Sequence, residues 1–141
     1  RSRRMTSRSL LALDVGEKRI GVAIADSSVR IAIAYDTFEV DGQEVARIAE
    51  LIDTEHVDTV VVGYPRNQSG EPTAQTAYAE AFAEKLEDIA PEIVFQDESL
   101  TSVKAEELLK AQKKPYEKGD IDALAASLIL QDYLEVNYGR V

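Results

Sequence analysis

The sequence predicts an α/β fold: a mixed five-stranded sheet with helices on both faces. Three observations carry it. Three short apolar runs come first, joined only by turn-sized polar connectors, which is the pattern of an antiparallel meander. The hydrophobic period then lengthens to helical spacing, and helix-like and strand-like segments alternate from there on. Such alternation implies later strands that run parallel, with helices crossing over them. Finally, 141 residues suit one domain at about 100–200 residues per domain.

The elements follow in order. Ser9 to Asp14 (SLLALD), Arg19 to Ala25 (RIGVAIA) and Ile31 to Val40 (IAIAYDTFEV) are the three meander strands. Val45, Ile48, Ala49 and Ile52 mark a helix, with Asp41 and Glu44 spaced as a capping box. Val57 to Val62 is a fourth strand ending in Gly63-Tyr64-Pro65, and the polar loop RNQSGE leads to Pro72, suited to a helix's first turn. The buried face predicted for that helix is Ala74, Ala77, Tyr78, Ala81, Phe82, Leu86 and Ile89. Ile93 to Gln96 is a fifth strand running into DESLTS. A helix from about Ser102 to Gln112 follows, broken by KKPYEKG. The last helix is expected from about Asp120 to Val136, with Leu124, Ala125, Leu128 and Ile129 inward. A flavodoxin-like or receiver domain would alternate β and α from its first strand. This order suits instead the ribonuclease-H-like arrangement, with strands one, four and five side by side. One domain is expected over residues 9–138, preceded by a flexible basic tail, Arg1 to Arg8.

Composition narrows the chemistry. The chain has no Cys, which excludes a disulfide scaffold, a thiolate zinc site and a cysteine nucleophile. A single histidine, His56, excludes a His-rich metal site; its place between a helix and a strand reads as structural or exposed. No apolar run approaches 18 residues, so no membrane span is expected. The four arginines of the tail precede an apolar run broken at Asp14, without a cleavage site, which argues against a signal peptide and for a cytoplasmic protein. Net charge is −10, concentrated between Asp36 and Glu98, where 16 acidic residues face three basic ones. A chain this acidic binds polyanions only through a local basic surface or bound metal cations.

Carboxylates at strand ends and helix starts are the candidates for chemistry, because α/β folds keep their ligand sites there. Asp14 ends an apolar strand, where a charge is costly unless something meets it, and Gly16 allows a close approach of backbone or ligand. A turn aspartate opening a hairpin is the plainer alternative. Asp97-Glu98 ends the fifth strand before a helix, where helix-dipole stabilisation competes with a ligand role. Asp120, after Gly119, fits a helix cap. Asp122 lies one turn before Ala125-Ala126, small residues that let a helix sit close to a sheet. In the proposed strand order, Asp14, Glu98 and Asp122 converge at one end of the sheet. Three carboxylates in close proximity need a cation between them. Oxygen donors without His or Cys favour Mg²⁺ or Mn²⁺. Two such ions about 3.5–4 Å apart are an apparatus for phosphodiester hydrolysis.

LLALDVGEKRIGVAIAD, VVGYP, DESLTS and IDALAASLILQDYL together resemble the YqgF, or RuvX, family over about Leu10 to Leu134. These are bacterial ribonuclease-H-like proteins described as Holliday junction resolvases or pre-16S rRNA nucleases. The resemblance implies that Asp14, Glu98 and Asp122 are the metal-binding and catalytic carboxylates. It also implies a nucleic-acid partner, either an rRNA precursor or branched DNA. Two positions depart from the family pattern: Ser99 stands where Arg is common, removing a basic contact, and Ala12 where Gly is common.

Further substrate contacts are expected from Lys18 and Arg19 in the first hairpin turn, and from Arg66, Asn67 and Gln68 after the fourth strand. Lys104, Lys110, Lys113, Lys114 and Lys118 form a basic run, and Tyr116 within it is placed to stack on a base. For each, a solvated turn or loop is the alternative. A non-catalytic nucleic-acid-binding module is the competing function from another class, disfavoured by the presence of all three acids. Symmetric cleavage of a four-way junction would require a homodimer, whereas trimming of an RNA end would not.

Overall fold

The sheet has the strand order β3-β2-β1-β4-β5. In chain order the elements are β1 (Ser9–Val15), β2 (Arg19–Asp26), β3 (Ile33–Glu39), α1 (Glu44–Thr54), β4 (Thr59–Pro65), α2 (Ala74–Lys85), β5 (Ile93–Glu98), α3 (Thr101–Ala111) and α4 (Lys118–Asn137). The computed structural model describes residues 7–65, 73–98, 101–113 and 115–138, without the side chains of 65, 98 and 101–103. β1 pairs antiparallel with β2, and β2 with β3, while β1–β4 and β4–β5 are parallel. The predicted mixed topology, with strands one, four and five adjacent, is what the chain adopts. Among the described residues no helix is long and apolar enough to cross a membrane.

Strand alternation divides the core into two layers. On one face Leu11 and Leu13 of β1, Ile20 and Val22 of β2, and Val60 and Val62 of β4 pack against α1 and α2 through Ile48, Leu51, Phe82 and Leu86. On the other, Leu10 and Ala12 of β1, Ala23 of β2 and Val61 of β4 meet Ala126, Ile129, Leu130 and Leu134 of α4. Because these strands are covered on both sides, they read as continuous apolar runs rather than as alternating ones.

Several local expectations are corrected. The buried face of α2 is Thr76, Ala79, Phe82 and Ala83, followed by Leu86, while Ala74, Ala77 and Ala81 point to solvent. Alanine supports a helix on either side, so its spacing is a weak guide to the inner face. Thr73 caps this helix in a reciprocal box with Thr76, and Pro72 lies outside the described residues. α1 is capped at Gln43, not Asp41. Only half of the expected box forms: Glu44 Oε1 accepts from the Asp41 and Gly42 amides, while Asp41 accepts from the Gln43 amide and pairs with Arg47. α4 starts at Lys118 with Glu117 as its cap, so Asp120 is the third helical residue, and its carboxylate accepts from the Glu117 amide at 2.9 Å. Arg8, assigned to the tail, donates to Thr59 and Glu92 and ties the start of β1 to β4 and the start of β5.

Candidate active site

Asp14 follows Leu10 and Ala12 in phase, so β1 carries it on the α4 face, half-buried at the strand's C-terminal end. Across the ladder its partner is Gly21 of β2. A Cβ at Gly21 would stand 1.9 Å from the Asp122 carbonyl oxygen and 2.9 Å from the Ala123 nitrogen. The backbone of α4's first turns therefore rests directly on β2, in space only glycine leaves open. This close approach brings Asp122 beside the end of β1, 108 residues after Asp14 in the chain. A second clasp holds the same turn, since the Thr37 hydroxyl donates to the Gly119 carbonyl at 2.5 Å. Gly16 serves the hairpin instead: its amide donates to the Arg19 carbonyl at 3.0 Å, and a Cβ there would lie 2.8 Å from that oxygen.

Arg19 opens β2 and reaches Asp122, with Nε 2.6 Å from Oδ2. The hydrogen bond and charge of Asp122 raise the guanidinium's already high pKa, and Glu39 adds to the effect. Glu39 of β3 is the cross-strand partner of Arg19. Both line an open cleft of about 760 Å³ between β3, the end of α3 and the start of α4, with Tyr35 and Tyr116 also in its wall.

Glu98, the third residue expected at the site, is described by its backbone alone. Glu98 closes β5 opposite Pro65 of β4. Leu13 pairs with Val62, and Gly63 with Gln96, so Glu98 lies two residues, about 7 Å, beyond the level of Asp14. Among the described residues no three Asp, Glu, His or Cys side chains form a metal-holding group, and the Glu98 side chain is outside that set. The donor chemistry of the described pair nevertheless fits a cation: both donors are carboxylates, and one already holds a positive charge, that of Arg19.

Of the expected substrate contacts, Lys18, Lys104 and Lys113 are exposed, and Tyr116 is half-buried with its hydroxyl 3.4 Å from Glu106. Arg66, Asn67, Gln68, Ser99 and Lys114 lie outside the described residues. His56 is exposed at the C-terminal end of α1. The engagement of Arg19 with Asp122 and the role of Gly21 are not legible as such in the sequence. A glycine inside the RIGVAIA strand is the one signal that points to the second.

A family model described as "RuvX: Holliday junction resolvase" matches residues 8–136. The chain belongs to the RuvX family. A protein of Chloroflexus aurantiacus named "Putative pre-16S rRNA nuclease" is 42% identical over 136 residues, covering 93% of this chain and 89% of the relative. A Synechocystis protein of the same name is 40% identical over 131 residues, covering 89% and 86%. The fold is also that of Thermus thermophilus RuvC, with a TM-score of 0.55 at 11% identity over 93% of this chain and 96% of the other. The same protein solved with a Holliday junction substrate gives 0.56 at 16% identity, over 94% and 96%. The RuvC-like fold agrees with the strand order of the sheet.

Proposed function

We propose that this chain is a divalent-metal-dependent nuclease that hydrolyses phosphodiester bonds of structured nucleic acid, acting in the maturation of pre-16S rRNA. The observation that supports this reading is the close packing of the Asp122 main chain on Gly21, the residue of β2 paired with Asp14. Relatives about 40% identical, named for pre-16S rRNA, point to the substrate.

Asp14, Asp122 and Glu98 are the residues to hold Mg²⁺ or Mn²⁺, two ions in the full reading. Such ions, when bound, supply neutralisation of the phosphate and acidification of a water. The protein's own part is positional. β1 holds Asp14 on a strand buried on both sides, and the Gly21 contact fixes Asp122 through its main chain. With a net charge of −10 the chain is a poor general binder of polyanions, and bound cations are one means of meeting the scissile phosphate.

The test is cleavage of a pre-16S rRNA leader and of a synthetic four-way junction in parallel, with Mg²⁺, Mn²⁺ or chelator. The leader is expected to be cut only with metal. Asp14→Asn is expected to abolish cleavage while preserving or raising metal-free stability, because an amide keeps the shape of the side chain and removes a charge from the end of an apolar strand. Full metal-dependent activity in that variant would remove Asp14 from the site. The family description favours one second reading, junction resolution. Preferential cutting of the junction by a dimer would install it.

A further inference from the structure

We propose that Arg19 is an internal counter-cation: it neutralises Asp122 in the metal-free protein and yields it to a divalent ion, turning to Glu39 as it leaves. The inference rests on the metal-site reading above and adds a residue that sets the site's affinity.

Three features of the structure carry it. First, the Nε–Oδ2 contact of 2.6 Å is a short, charge-assisted bond to the carboxylate assigned to the metal. A guanidinium and a divalent ion on one carboxylate repel each other, so entry of the ion favours departure of the arginine. Second, the pair is within reach of water, its side chains 30% and 21% exposed, so the exchange needs no unfolding. Third, an alternative partner is already in place. Glu39 faces Arg19 across the β2–β3 ladder, and both border the 760 Å³ cleft, which leaves room for a long side chain to swing without backbone movement. Arg19 is thus a positioning residue, acting on the site through Asp122.

Mn²⁺ affinity by isothermal titration tests the exchange, with Mg²⁺-dependent NMR of the Arg19 Nε–H as a direct readout. Arg19→Gln is expected to bind Mn²⁺ about fivefold tighter, the order of a partly exposed ion pair, and to melt lower without metal. Glu39→Gln, which removes the alternative partner but touches no proposed ligand, is expected to weaken Mn²⁺ binding about twofold. In the wild type, the Arg19 Nε–H resonance, assigned by its loss in Arg19→Gln, is expected to shift as Mg²⁺ is added. Weaker or unchanged Mn²⁺ binding in Arg19→Gln would overturn the exchange; weaker binding would make the arginine an outer support of a bound Asp122. An Nε–H signal indifferent to Mg²⁺ in a metal-binding wild type would overturn it as well. If the wild type binds no Mn²⁺ that Asp14→Asn abolishes, the metal-site reading falls and the exchange falls with it.

Discussion

The two faces of the sheet are built from different residues and do different work. Against α1 and α2 the strands present Leu11, Leu13, Ile20, Val22, Val60 and Val62, met by Ile48, Phe82 and Leu86. Large aliphatic groups fill that layer and keep the helices at a distance. Against the first half of α4 the strands present Ala12, Gly21 and Ala23, met by Ala126. There the helix backbone touches the strand at Asp122, against the residue of β2 paired with Asp14. Bulk on one face supplies stability; its absence where the first turns of α4 meet β2 supplies position. The same sheet carries both because alternate residues along one strand face opposite layers.

Gly21→Ala is expected to have the largest effect. The added methyl would stand 1.9 Å from a carbonyl oxygen of the main chain, which cannot turn aside as a flexible side chain would. The first turns of α4 must lift, taking Asp122 with them. The expected loss is about 3 kcal/mol or more, at the top of the overpacking range, with cleavage lost in whatever fraction folds. Urea unfolding and cleavage per folded molecule measure the two effects. Wild-type activity in the variant would show that the Asp122 contact does not position the site.

Leu86→Ala tests the other face. Leu86 is fully buried below α2, and its truncation should cost about 2–5 kcal/mol. Cleavage per folded molecule is expected to stay at the wild-type level, because no proposed ligand packs on that layer. A fall in activity beyond the fall in folded population would mean that the two layers are coupled through β1.

This division was only partly open to sequence reasoning, and the reason is physical. Period-two and period-3.6 patterns are local, so the element order, the meander and the ends of β1 and β5 could be read directly. The inner face of α2 could not: Ala74, Ala77 and Ala81 keep helical spacing yet face solvent, and the two-sided ambiguity of alanine hid the rotation. The cap of α4 lies three residues before the expected one because a glutamate, Glu117, is an uncommon cap and Asp120 a familiar one. The Arg19–Asp122 pair joins residues 103 apart. A charge in a hairpin turn carries no local mark of its distant partner, so the turn reads equally well as solvated.

A smaller effect sharpens the reading of α4's first turn. Asp120 is exposed and bonded to the Glu117 amide, a cap contact and not a contact with Asp14 or Asp122. Asp120→Ala is expected to cost toward the lower end of about 0.5–2 kcal/mol with metal-dependent cleavage retained. Thermal melting and cleavage at saturating Mn²⁺ check the two halves. Loss of cleavage with an unchanged melting temperature would move the third carboxylate from Asp122 to Asp120.

The smallest effect belongs to the surface beside α1, away from both cores. Asp41 receives Arg47 through both carboxylate oxygens, at 2.7 and 3.0 Å, and the Gln43 amide at 3.0 Å. The Arg47 hydrogen bonds, then the backbone amide, lower its pKa from 3.8 to about 2. A lowered carboxyl pKa contributes stability that is whole above about pH 4 and is lost as pH falls through about 2. Arg47→Gln should therefore lower the urea midpoint slightly at pH 7 and at pH 5, and the gap from wild type should close as pH falls to 2. Carboxyl NMR of Asp41 should show its titration moving up toward 3.8 in the same variant. Arg47 also donates to the Glu39 carbonyl at 3.3 Å, a contact that does not depend on Asp41 ionising. A gap that persists undiminished at pH 2 would assign the contribution to that backbone contact and not to the ion pair.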